Sequence, residues 1–207
     1  MSRKINWLSV KINWLGLSAG IITLIVLAVS LYLPWWQFTV GQNLIRINAS
    51  PVYTNFGLLS IQFTVPVIWA LNLISILTFA ACGAVMLVYS LVPTKPYAKQ
   101  LLSFSYRKPL YTVVSFAVIL IIIVLIAGHF GLNIPLMGSA TLTLPGSWTS
   151  GATISALVSG NFELPFWLAI VAAGLCIAAR LYHSRVAKAP TVPGTATAPT
   201  GTSAASV

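Results

Sequence analysis

Acidic residues are almost missing from this 207-residue sequence, in which Glu163 is the single carboxylate side chain against 11 Lys and Arg. Paired-carboxylate acid–base catalysis is therefore excluded within the chain. A Ser–His–acid triad is left with one candidate acid and no nucleophile-elbow motif to go with it. Charge of either sign is scarce, at 6% of residues, where soluble domains carry about a quarter. Cysteine is scarce too: Cys82 and Cys176 lie in apolar runs without CxxC or metal-like spacing, and they read as small packing residues. The two histidines, His129 and His183, fall near opposite ends of their apolar runs, too far apart to share a metal. No catalytic, cofactor-binding or metal-ligating residue is assigned, no cofactor is expected, and the chain reads as a non-enzyme.

What the sequence has in abundance is apolar length, with 58% hydrophobic residues. About 20 apolar residues cross a hydrocarbon core of ~30 Å, and four segments reach that length: residues 14–36, 66–92, 110–132 and 165–183. The fourth is the weakest, because Arg180 lies within it and must snorkel toward the headgroups. The first run has no small-x-small cleavage motif after it, so it reads as a span rather than a leader. No charged residue occupies the centre of any span, which argues against a proton-coupled pump or transporter. Ten of the eleven basic residues fall in residues 1–13, 93–109 or from Arg180 onward, and only Arg46 falls on the other side. The positive-inside rule then places both termini in the cytoplasm of a multi-pass plasma-membrane protein. None of this charge forms a dense run, so the expected partners are the lipid bilayer and either other membrane proteins or further copies of the chain through self-association, with no nucleic acid.

The two segments between spans on the outer side, residues 37–65 and 133–164, carry strand patterning. Gln37–Val40, Leu44–Ile47, Ser60–Val65, Ala140–Leu144 and Ile154–Val158 are short runs of alternating or β-branched residues. Gly41-Gln42-Asn43 suits a hairpin turn. Isolated hairpins are marginal, so the two loops are expected to share one sheet. The expected fold class is an all-α membrane protein: a four-helix transmembrane bundle carrying a small extracellular β-sheet.

Lys4-Ile5-Asn6-Trp7-Leu8 recurs as Lys11-Ile12-Asn13-Trp14-Leu15. Two helical turns separate the copies, so Trp7 and Trp14 would share a face. With Trp35, Trp36, Trp69 and Trp167 they are expected as interfacial anchors. Gly16 and Gly20 form a GxxxG, and Ala80 with Ala84 and Gly174 with Ala178 are looser small-xxx-small pairs, all candidates for close helix packing. Asn48-Ala49-Ser50 is an N-glycosylation sequon on the outer side. Residues 63–69 and 162–167 both read Phe-x-aliphatic-Pro followed by Trp, consistent with two related halves. Residues 184–207 are dominated by Ala, Pro, Thr, Ser and Gly and are expected to be a disordered cytoplasmic tail.

Trp35-Trp36 after the first span, followed about twenty residues later by Gly57-Leu58, resembles the first loop of claudin/PMP22-like tetraspan proteins. In place of that family's second Trp stands Leu59, and its loop cysteine pair is missing. The resemblance implies four spans, cytoplasmic ends and a sheet built from both outer loops. The functional expectation is a non-catalytic scaffold, assembly factor or accessory subunit acting through its outer loops and helix faces. The alternatives are a subunit of an oligomeric channel or transporter, with Asn72, Thr78 and Ser115 as polar lining, or a subunit of a membrane redox complex.

Overall fold

The computed structural model describes residues 12–41, 43–59, 61–144 and 154–187. The element order is α1 (Trp14–Ser30), β1 (Trp36–Val40), β2 (Ile45–Ala49), β3 (Asn55–Leu58), β4 (Ile61–Phe63), α2 (Pro66–Leu91), α3 (Ala98–His129), β5 (Gly138–Leu144), β6 (Ile154–Phe162) and α4 (Leu164–Ala187).

The expectation of an all-α protein with four spanning helices is corrected by this order. The six strands form one antiparallel sheet, β4-β3-β2-β1-β6-β5, so the fold mixes sheet and helices. Three helices, α2, α3 and α4, are long and apolar enough to cross a membrane. The first is shorter: α1 has 17 residues and ends at Ser30. Residues 31–36 add apolar length in sequence but not helix, because Pro34 breaks the pattern and Trp36 already pairs in β1. Two further bounds differ from expectation. α3 starts at Ala98 and runs through Pro109, so much of the expected 93–109 loop is helical. α4 continues to Ala187, past the expected start of the tail; residues 188–207 lie outside the described part.

The glycines of α1 set its approach to α2. A Cβ at Gly16 would lie 2.6 Å from Ser90 Oγ, and one at Gly20 would lie 2.8 Å from Leu87 Cδ2. Gly83 answers from α2, where a Cβ would meet Leu24 at 2.6 Å. This seam lets two backbones pack closely without a hydrophobic drive. On α4 the packing stripe is Ala169, Ala172, Ala173, Cys176 and Ala179, all buried.

The sheet is one-sided. Register places Phe38, Ile47, Phe56 and Phe63 in one row across β1 to β4, and Phe38 faces Gly160 of β6. The opposite face carries Gln37, Thr39, Arg46, Asn48, Gln62 and Ser159. That is the apolar/polar alternation of an antiparallel sheet, with the apolar face buried at β1 and β6 and exposed toward β4. β1 is central, pairing with β2 from the first loop segment and with β6 from the second. The strand-like runs read from the sequence occupy β1, β2, β4, β5 and β6; β3 was not among them. The halves contribute unequally, four strands against two.

Candidate functional site

Three regions have the composition of a site: the core where sheet meets helices, the free end of the sheet, and the basic end of the helices.

The first is organised by Trp35. It is fully buried, and its ring packs edge-on against Phe79 of α2 (6.2 Å), Phe116 of α3 (5.3 Å) and Phe166 of α4 (6.1 Å). Its indole N–H donates to Ser30 Oγ at 2.8 Å. Trp36, 4% exposed, stacks on Phe38 and donates to the Leu136 carbonyl. Both were expected as interfacial anchors; both are core residues, because the chain turns inward after Ser30 and carries them under the sheet. Trp14, Trp69 and Trp167 are 67%, 61% and 48% exposed near the ends of α1, α2 and α4. Trp7 lies outside the described residues.

The polar face of the sheet is a satisfied network. Arg46 donates to Asn48 Oδ1 at 3.3 Å, Asn48 Nδ2 to Asn55 Oδ1 at 2.8 Å, and Asn55 Nδ2 to Tyr53 Oη at 2.6 Å. Gln37, with its amide oriented to suit its neighbours, also accepts from Arg46. The sequon residue Asn48 is therefore 6% exposed, with the nitrogen that would carry a glycan already committed.

The apolar face is covered only in its middle. Trp36, Phe38 and Val158 pack on Leu120 of α3, and beyond them the face runs out past the helices. Leu58, Ile61 and Phe63 are 49%, 70% and 51% exposed, with Phe56 and Phe63 stacked at 5.8 Å. β4 is an edge strand, so the overhang ends in a row of unpaired backbone groups. It leads through residues 64–65 into α2, whose Val67, Leu71 and Ile74 share a helix face and are equally exposed.

Beneath the sheet, a groove of about 380 Å³ opens between α2 and α3, lined by Pro51, Ser75, Thr112, Ser115, Phe116 and Ile123 among others. Two of its hydroxyls bond their own helix backbone: Thr112 donates to the Lys108 carbonyl and Ser115 to the Thr112 carbonyl. The polar residues considered for a conducting path are not brought together. Asn72 binds the loop above it, to Pro51 O and Thr54 N in its satisfied amide orientation. Thr78 donates to Ile74 O, and Ser115 lines the groove.

The expected packing pairs divide. Gly16 and Gly20 sit on the α1–α2 seam, whereas Ala84 is exposed, Ala80 is only partly covered, and a Cβ at Gly174 would meet nothing within 4 Å. Gly83, one residue from the expected Ala84, is the close-approach position on α2. On α4 the buried stripe lies one helix face away from Gly174 and Ala178.

At the basic end, Asn13 caps α1 by accepting from Gly16 N, donates to Tyr89 Oη at 2.8 Å, and reaches the Ala179 carbonyl at 3.3 Å. Tyr89 in turn bonds His183 Nδ1 at 2.9 Å. His129 ends α3 at the sheet end, edge-on to Phe130. Among the described residues no three His, Cys, Asp or Glu side chains gather, and no buried side-chain nitrogen or oxygen lacks a partner.

Comparison with protein-family models and with curated proteins finds no match to either. The residues behind the claudin-like resemblance stand in different roles: Trp35 is the core ring just described, while Gly57 and Leu58 belong to β3.

Proposed function

We propose that this chain is a non-catalytic integral membrane scaffold or accessory subunit that docks a second membrane protein against the β3–β4 overhang and the adjoining face of α2. The carrying observation is the continuity of that surface. Apolar side chains run from Leu58 and Ile61 through Phe63 to Val67, Leu71 and Ile74 without a charged residue between them. Lipid tails are a poor cover for the upper half, since the unpaired backbone of β4 has no hydrogen-bonding partner in hydrocarbon. Headgroups and water are a poor cover for its apolar side chains. A protein with one segment beside α2 and another beside β4 satisfies both.

The proposed setting is the plasma membrane, with the sheet outside. Lys95, Lys99, Arg107, Lys108 and Arg180 lie toward the helix ends remote from the sheet, and the positive-inside rule assigns such an end to the cytoplasm. Photo-crosslinking amino acids at Ile61 and at Leu71, in intact membranes, test the docking. Adducts to one and the same membrane protein at both positions, weakened by Phe63→Asp and absent from a probe at Thr141, are expected. Lipid adducts alone at Ile61, or unrelated proteins at the two positions, would sink the reading.

A further inference from the structure

The geometry points to an anionic phospholipid headgroup site at the end of the helices remote from the sheet, seated between α3 and α4. A cavity of about 280 Å³ there is lined by Lys99, Leu102, Ser103, Arg107, Arg180 and His183. Three cations converge on it, and the chain's only carboxylate, Glu163, stands at the far end of α4, about 30 Å away at 1.5 Å per helical residue. Among the described residues no carboxylate side chain stands beside this cluster, which leaves it open to a counter-charge from outside.

Two of the three cations, exposed as they are, share one aromatic partner. Arg180 lies over the face of Tyr106 with its guanidinium carbon 4.4 Å from the ring centroid, a cation–π contact. Arg107 approaches the same ring at 5.9 Å and donates from Nε to its hydroxyl at 3.3 Å. One aromatic side chain therefore fixes two guanidinium groups, leaving further N–H donors of each for a ligand. His183 is fixed as well. The Asn13 amide donates to the Tyr89 oxygen, and the Tyr89 hydroxyl bonds Nδ1 of His183 at 2.9 Å. The lining is therefore rich in donors, and its natural ligand is a group that only accepts: the phosphate of a phosphodiester.

Position distinguishes a lipid from a soluble anion. The apolar span of α4 ends at His183, and the charge-free run of α3 begins just after Lys108, so the cavity lies at headgroup level. A second hollow of about 400 Å³, lined by Gln100, Ser103, Phe104, Arg107 and Lys108, shares Ser103 and Arg107 with it. Basic pockets between membrane helices at this depth suit acidic headgroups.

Native mass spectrometry of the full chain in detergent, with equal amounts of phosphatidylglycerol and phosphatidylcholine, provides the test. Each basic residue near an anionic surface is worth about fivefold in affinity. The expected result is retention of one phosphatidylglycerol in preference to phosphatidylcholine, reduced roughly 25-fold in R107Q/R180Q. Lys99→Gln, a change at an exposed position that leaves the Tyr106 contacts intact, is expected to give about fivefold and serves where the double variant fails to fold. Lys95→Gln, outside the cavity, is expected to leave binding unchanged. Millimolar inorganic phosphate is expected not to displace the lipid. Equal binding of the two lipids, preference that survives in folded R107Q/R180Q, or displacement by phosphate alone would each overturn the assignment.

Discussion

The side-chain amide of Asn13 donates to the hydroxyl of Tyr89 at 2.8 Å across 76 residues of chain. This bond ties the start of α1 to the last turn of α2, and the Tyr89–His183 bond carries the tie onward to α4. Asn13 belongs to the second copy of the Lys-Ile-Asn-Trp-Leu repeat, so that copy serves as a helix cap and a three-helix clasp.

Asn13→Ala removes a cap and leaves Tyr89 with one fewer donor. A buried hydrogen-bond loss of this kind costs about 1–3 kcal/mol. Thermal unfolding in detergent is expected to show that drop. Because the two side chains share one bond, adding Tyr89→Phe is expected to cost less than the sum of the single changes. Strict additivity would mean that the bond contributes nothing.

Trp35→Ala empties the space where α2, α3 and α4 meet, and such deletions cost about 3–5 kcal/mol. Trp35→Phe keeps part of the ring packing and gives up the bond to Ser30, so a smaller loss is expected. If Trp35→Ala melted like the parent protein, the residue would be peripheral, as an interfacial anchor is.

Gly20→Ile and Gly174→Ile place the same side chain on two helices with opposite expectations. At Gly20 even a Cβ would press on Leu87, whose backbone nitrogen lies 3.1 Å away, and α1 is forced off α2. Gly174 faces open space, and the change is expected to be tolerated within about 0.5 kcal/mol. Size-exclusion profiles and melting curves of the pair decide the matter. Equal damage would contradict the assigned seam.

Asn48 is expected to stay unmodified in the folded protein, because its amide nitrogen is bonded to Asn55. Expression in a glycosylating host followed by endoglycosidase treatment should leave gel mobility unchanged. A mobility shift abolished by Asn48→Gln would refute this.

Apolar length and strand alternation were legible in the sequence because they are periodic. The helix bodies of α2 to α4 and five of the six strands follow from hydrophobic runs and β-branched residues. β3 escaped because Asn55-Phe56-Gly57-Leu58 contains an Asn and a Gly, both poor strand formers, and is held by its neighbours β2 and β4. The length of α1 escaped because apolar content does not distinguish helix from a buried turn: Leu31 to Trp36 are as apolar as a span and are not helical. Trp35 and Trp36 misled for a related reason. Tryptophan beside an apolar run marks an interface on average, whereas here Pro34 and the pairing of Trp36 draw both rings into the core. The basic end was readable as charge but not as a cavity, since Arg180 of α4 is distant in sequence from Lys99 and Arg107 of α3, and Tyr106, which contacts two of them, carries no motif.

The central place of β1 has a mechanical consequence. Its strand is laced on one side to the segment that follows α1 and on the other to the segment that leads into α4. A slip of one residue in the β1–β6 register would swap the apolar and polar faces of one strand relative to the other. The sheet thus acts as a transverse brace between the segments that join α1 and α4.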